Sequence, residues 1–157
     1  MPTLIATTAR GAEPALVTEL AHHGLSATAT GRGAVEVQGS VADGYRICLW
    51  SRVASRVLLP LATVDATDAD TLHRDVRRMN WAAHLPEGAT FAIHAVGRNA
   101  ALRHGGFTAM RVKDGIVDRL RADRGHRPDV DPKNPDLWLN VHVHGRHADV
   151  AVDLSGA

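Results

Sequence analysis

The sequence predicts an α+β fold built as two consecutive units. Short β-prone runs alternate with amphipathic helical stretches along all 157 residues, a pattern that argues against all-helical and all-strand classes. Residues 3–66 read in the order β-α-β-β-α-β. After Asp65-Ala66-Thr67 the pattern starts again with a new helix. Apolar residues at 45% and charged residues at 22% are near globular averages and exclude a disordered or fibrous chain. A chain of this length buries roughly 68–70% of its unfolded surface, enough for a core without staples.

Taken in order, Thr3–Thr8 is a short strand, and Gly11–Gly24 holds a helix with Leu16, Val17 and Leu20 at helical spacing before a glycine stop. Ala27–Thr30 and Ala34–Gln38 flank Gly31-Arg32-Gly33, which predicts a hairpin. A second helix over Ala42–Val53 takes Tyr45, Ile47, Cys48, Leu49 and Trp50 as its apolar side. Val57–Val64 is a strand in which Pro60 removes a ladder donor, predicting an edge position or a bulge. This order is the split βαβ, or ferredoxin-like, arrangement, an antiparallel sheet with both helices on one face. It defines a first domain at 1–66, and fold alone names no function.

The second domain, 67–157, opens with a helix at Asp68–Met79 whose acidic first turn and Arg77-Arg78 at the end complement the helix dipole. Phe91–Gly97 is a strand and Phe107–Arg124 the longest helix, stopped by Gly125 with Pro128 beyond. Trp138–His144 and Ala148–Leu154 alternate and meet at Gly145-Arg146, a second hairpin.

Charge is balanced in total, 18 Lys+Arg against 17 Asp+Glu, but residues 111–127 carry six basic and three acidic groups. A local basic face on a neutral protein is a nucleic-acid footprint confined to one surface. On the 107–124 helix, Val112, Ile116, Val117 and Leu120 form the buried stripe. Arg111 with Asp114, and Asp118 with Arg121, are i,i+3 pairs that neutralise each other on a solvated face. Lys113 lies beside the stripe without an evident partner in the helix. Ahead of it, Arg103-His104-Gly105-Gly106-Phe107-Thr108 places two glycines and a Thr108 N-cap at a helix start, with Arg98 leaving the preceding strand. Free backbone N–H groups beside cations suit a phosphate. Phe107 and Trp138 are candidate stacking residues, although such residues are more often core.

Other chemistry is less well supported. His142, His144 and His147 could converge on a metal, but no Cys or Glu joins them, and a polar solvent-facing strand is the default. G-x-S-x-G, P-loop and HExxH motifs are missing. Gly31-Arg32-Gly33 joins two strands instead of opening a helix, as a dinucleotide loop requires. Asn134-Pro135-Asp136-Leu137 departs from the N-P-P-Y signature of amine methyltransferases at its third and fourth residues. Cys48 in an apolar helical stretch reads as core and cannot close a disulfide alone. That cysteine usage, the absence of a secretory leader pattern in MPTLIATTAR and the lack of a long apolar run predict a cytoplasmic protein with no membrane contact.

Three stretches carry a family resemblance: Ala6-Thr7-Thr8-Ala9-Arg10-Gly11, Trp50-Ser51-Arg52-Val53-Ala54-Ser55-Arg56, and Arg111-Val112-Lys113-Asp114-Gly115-Ile116-Val117-Asp118, closed by Asp153-Leu154-Ser155-Gly156. Together they resemble the N-terminal region of bacterial 23S rRNA guanine methyltransferases of the RlmL/RlmKL type. The resemblance implies a ferredoxin-like domain followed by an α/β THUMP domain, an RNA-binding module. It implies an RNA-docking fragment without catalytic residues or a cofactor of its own, serving C-terminal methyltransferase domains of the same parent chain that use S-adenosylmethionine on 23S ribosomal RNA. Arg111 and Lys113 are then the leading RNA contacts, in agreement with the phosphate reading of the helix start, which adds Arg98, Arg103 and Thr108. Arg52 and Arg56 either bind RNA or tie the first domain to the second. Gly115 stands where the family leads one to expect alanine, a loss of roughly 0.8–1.0 kcal/mol in helix propensity. A structural or protein-interaction module that does not touch RNA is the alternative.

Overall fold

The computed structural model describes residues 2–156 and contains seven strands and four α-helices. They are β1 (Thr3–Thr7), α1 (Glu13–His22), β2 (Ser26–Gly31), β3 (Ala34–Gln38), α2 (Val41–Trp50), β4 (Arg56–Asp65), α3 (Ala69–Arg78), β5 (Phe91–Gly97), α4 (Gly105–Arg124), β6 (Leu137–His144) and β7 (His147–Asp153), with one 3-10 turn at Trp81–Ala83. The chain divides into two compact units, Met1–Pro60 with Val152–Ala157, and Leu61–Ala151. Residues 152–156 belong with the first unit.

In the first unit the strands run β2-β3-β1-β4, and β1 is antiparallel to both β3 and β4. Register puts Leu4 opposite Val37 and Ala6 opposite both Val35 and Val57, so these side chains share one face. Leu16 and Leu20 of α1 and Ile47 of α2 complete a single core with them, which places both helices on that face. The hairpin between β2 and β3 turns at Arg32-Gly33. There Gly33 has φ +75°, and a Cβ would meet the Thr8 carbonyl oxygen at 2.7 Å, so the position admits only glycine. Helix α2 opens with a capping box: the Ser40 hydroxyl accepts from Asp43 N–H, and the Asp43 carboxylate accepts from Ser40 N–H. Hydrogen bonds from the Ser40 backbone and hydroxyl hold the Asp43 carboxyl below its usual range.

Two first-unit expectations are corrected. The apolar side assigned to α2 is mostly solvent-facing: Ile47 is buried, but Tyr45 is 56% and Leu49 87% exposed, and Cys48 is exposed. A helix lying on one face of a sheet buries only a narrow stripe, and here Gly44 and Ile47 fill it. Pro60 does not lie on an outer strand, because β4 has β1 on one side and β7 on the other. The β1 ladder with β4 ends at Ile5↔Leu58, so Pro60 falls beyond it, where the missing N–H costs no bond to β1.

In the second unit the sheet runs β4-β7-β6-β5, with β5 parallel to β6 from Phe91↔Leu137 to Gly97↔Val143. Leu139, Val141 and Val143 face the core with Phe91 and the α4 stripe Val112, Ile116, Val117 and Leu120, all buried as the periodicity requires. Helix α3 starts at Asp68, whose carboxylate accepts from Thr71 N–H at 2.8 Å. It packs on α4, where a Cβ on Gly115 would meet the His73 carbonyl oxygen and Val76 at 3.0 Å. The propensity lost at Gly115 therefore accompanies a close helix approach. The buried Trp81 indole donates to the Val76 carbonyl at 2.7 Å, and α4 ends at Gly125 in the left-handed conformation.

Candidate nucleic-acid interface

Helix α4 begins at Gly105, two residues earlier than the sequence suggests, with His104 as an N-cap that makes no side-chain bond. Thr108 is not the cap. It is buried in the first turn, and its hydroxyl donates to the His104 carbonyl at 3.2 Å. Gly105 and Gly106 serve different purposes: a Cβ at Gly105 would lie 3.0 Å from the Ala95 carbonyl oxygen, while Gly106 faces open space. Arg98 and Arg103 flank this start and are exposed, and the Arg103 Nε donates to the Ala100 carbonyl at 3.1 Å.

Lys113 stands two turns along α4, partly exposed, and its ammonium lies 3.5 Å from Asp114 Oδ1. The partner that the helix pattern did not supply is therefore its immediate neighbour. Arg111 spans to α3, with Nη2 3.3 Å from Asp70 and Nη1 3.8 Å from Asp114, and its Nε is buried without a hydrogen-bond partner. Asp70 is 98% exposed, so this pair is worth at most about 1 kcal/mol and yields readily to a stronger anion. Asp118 pairs with His73 Nε2 at 2.8 Å; the i,i+3 pairing with Arg121 is not formed among the described contacts.

Lys113 borders a groove of about 420 Å³ between α4, the outer side of β5 and residues 130–132. Ile93, Ala109, Met110, Val130 and Trp138 supply its apolar surface. Among the described residues that line it, none is acidic. Most of this groove is missed by reading the sequence: Met110 is exposed without any motif around it, and Val130-Asp131-Pro132 has no periodicity to mark it. The signal available in the sequence is that Met110 lies off the buried stripe of α4.

In the first unit, Arg52 borders a second depression, of about 590 Å³, whose wall includes Glu19, His22 and Trp50. His23 stacks on Trp50 with ring centroids 3.5 Å apart. Glu19 accepts from the Ser51 hydroxyl at 2.5 Å and from Arg52 N–H at 3.0 Å. Burial works to raise the Glu19 pKa, but the bonds from Ser51 and Arg52 and the nearby His23 outweigh it and hold the carboxyl below its usual range. The Arg56 Nη1 is 2.6 Å from Asp153 Oδ2, a carboxylate only 3% exposed, and reaches the Gly156 carbonyl. Asp153 also accepts from Ser155. The W-S-R-x-A-S-R and D-L-S-G stretches thus meet within one unit.

His142 and His144 project from β6 with centroids 5.3 Å apart, and His144 Nε2 is 2.8 Å from Asp149. Among the described residues no group of three His, Cys, Asp or Glu side chains is placed to hold a metal.

Residues 3–58 match the RlmL ferredoxin-like domain family, and residues 66–153 match the THUMP domain family. This chain is an RlmL-type ferredoxin-like domain followed by a THUMP domain. It is 41% identical over 150 residues to the ribosomal RNA large subunit methyltransferase K/L of Marinobacter nauticus, covering 96% of this chain and 21% of that protein. A possible methylase from Clostridium difficile 630 shares the fold over 97% of this chain and 41% of its own, with a TM-score of 0.85 at 25% identity. SMU.472, a putative methyltransferase solved with SAH, matches over 97% of this chain and 41% of its own, with a TM-score of 0.82 at 26% identity. The THUMP chain thus spans about a fifth of the length of the rRNA methyltransferases it matches. Gly31-Arg32-Gly33 turns between β2 and β3, with Gly33 closed on the Thr8 carbonyl oxygen, and does not open a helix as a nucleotide loop does. No helix of the described residues is long and apolar enough to cross a membrane.

Proposed function

We propose that this chain docks ribosomal RNA for an S-adenosylmethionine-dependent guanine methyltransferase, whose catalytic domains belong to the same, longer polypeptide. The observation that carries the reading is the α4 groove, with Lys113 on its rim and no carboxylate among its described lining residues. Arg98, Arg103, Arg111 and Lys113 supply phosphate contacts on this unit, with Thr108 shaping the first turn from beneath, and Arg52 adds a contact from the ferredoxin-like domain. Arg56 holds the chain's closing residues to β4. The target is 23S rRNA in the cytoplasm. The functional division follows residues 1–66 and 67–157, and the chain itself positions RNA without chemistry of its own.

Cations that neutralise phosphates release counterions, so binding weakens steeply with salt. Fluorescence anisotropy with a stem-loop RNA carrying a single-stranded flank, beside its DNA counterpart at low and moderate salt, tests the reading. Tighter, salt-sensitive binding to RNA is expected; no binding at either salt refutes it. A second reading, a protein-interaction module, rests on the exposed Tyr45 and Leu49 of α2. It predicts that charge reversal at Arg111 and Lys113 leaves partner binding intact.

A further inference from the structure

We propose that the α4 groove seats one unpaired nucleotide, whose base is read by the backbone N–H and C=O of Ile93 while its phosphate meets Lys113. This deepens the RNA-docking reading and rests on it.

Strand β5 ends the sheet of its unit. Phe91 N–H donates to the Asp129 carbonyl, Asp131 N–H donates to the Phe91 carbonyl, and Leu137 N–H donates to the Thr90 carbonyl. The backbone N–H and C=O of Phe91 therefore point away from β6, and the Thr90 carbonyl points toward it. Because the backbone direction alternates along a strand, Ile93 and Ala95 also point outward. The 129–131 segment covers Phe91, and Gly105 closes on the Ala95 carbonyl oxygen, leaving 3.0 Å even for a Cβ. Between these two covers, Ile93 presents one donor and one acceptor to the groove.

With the Phe91 backbone and the Ala95 carbonyl both covered, the open stretch at Ile93 is too short for an added peptide strand, which needs several ladder bonds. One N–H beside one C=O matches the polar edge of a nucleobase. Met110 from α4 and Val130 from the loop, both exposed, give the apolar faces that a base requires. The lining residues carry Lys113 as a cation and, among those described, no acid, which complements a phosphate. A base in a helix cannot reach this recess, so the occupant is unpaired.

The test uses the whole chain, labelled with nitrogen-15, against a stem-loop RNA with an unpaired flank and against a blunt RNA of equal charge. The Ile93 amide is expected to shift with the flanked RNA and stay in place with the blunt one. The flanked RNA is expected to bind about tenfold tighter, within the range of one seated base, and Ala109→Phe, which fills the groove without changing charge, should remove that preference. If Ala109→Phe misfolds, the amide measurement on the unaltered chain decides. Binding of both RNAs with an unmoved Ile93 amide overturns this inference and leaves the docking reading standing. Failure of both RNAs to bind overturns the two together. An equal shift with a five-residue Val/Thr peptide overturns it in favour of strand addition.

Discussion

The two units each set a sequence-nominated cation beside a depression, and they differ in what else lines it. Arg52 shares its wall with Glu19, an acid held in its charged form by hydrogen bonds. Lys113 shares its wall with apolar side chains and no acid among those described. A phosphate approaching Arg52 meets a fixed anion, whereas one approaching Lys113 meets only Asp114 at the flank of the lysine. Basic residues in a sequence are therefore not equivalent footprints. The neighbours that the fold brings to each decide which of them is available to RNA.

Arg56 gives the largest expected effect, on stability. Arg56→Ala leaves Asp153 buried with its strongest partner removed, and stability should fall by about 2–3 kcal/mol, read as a lower urea midpoint at unchanged slope. RNA affinity of the folded protein should stay the same, and a loss of affinity would move Arg56 to the Lys113 side of the comparison. On binding, Lys113→Glu should weaken RNA at least about tenfold, or roughly 1.4 kcal/mol, while Arg52→Glu should cost no more than about threefold, roughly 0.65 kcal/mol on the same scale. Anisotropy titrations at one salt concentration separate them, and equal losses would erase the distinction between the grooves.

Glu19→Gln sharpens the same contrast. Because the folded-state pKa of Glu19 is lowered, its contribution to stability is present above the usual carboxylate range and is lost as pH falls through the folded value. The wild-type advantage over the Gln variant should be visible in urea titrations at neutral pH and shrink progressively in acid. RNA binding through the first unit should rise slightly in the variant. The smallest effect is at Cys48. Although exposed, its thiol is pushed up in pKa by partial burial, with Asp153 adding to the shift, so alkylation should be slow at neutral pH and leave both RNA affinity and the urea midpoint unmoved.

Element order, both hairpins and the buried stripe of α4 could be read from the sequence because each follows a local period. Phe91–Gly97 is the same strand in both descriptions, and Gly125 stops α4 as its position implied. What could not be read depends on contacts far apart in the chain. Arg56 meets Asp153 across 97 positions, and no window joins them. Thr108 looked like a cap because a hydroxyl before a helical run usually is one, but the two glycines entered the helix and moved the start. Tyr45 and Leu49 looked buried because an apolar residue carries no record of how wide a stripe its sheet will cover. The Lys113 side chain was legible; the groove beside it, closed by residues 130–132, was not.

The central claim is that Lys113 neutralises an RNA phosphate at an acid-free groove. The salt dependence of RNA affinity tests it most directly, measured by anisotropy for the wild-type chain and for Lys113→Ala with one flanked stem-loop RNA. Binding should weaken in the variant, and the slope of log affinity against log salt should fall by about one, the loss of one phosphate contact. Parallel lines with the same slope and the same affinity would contradict it.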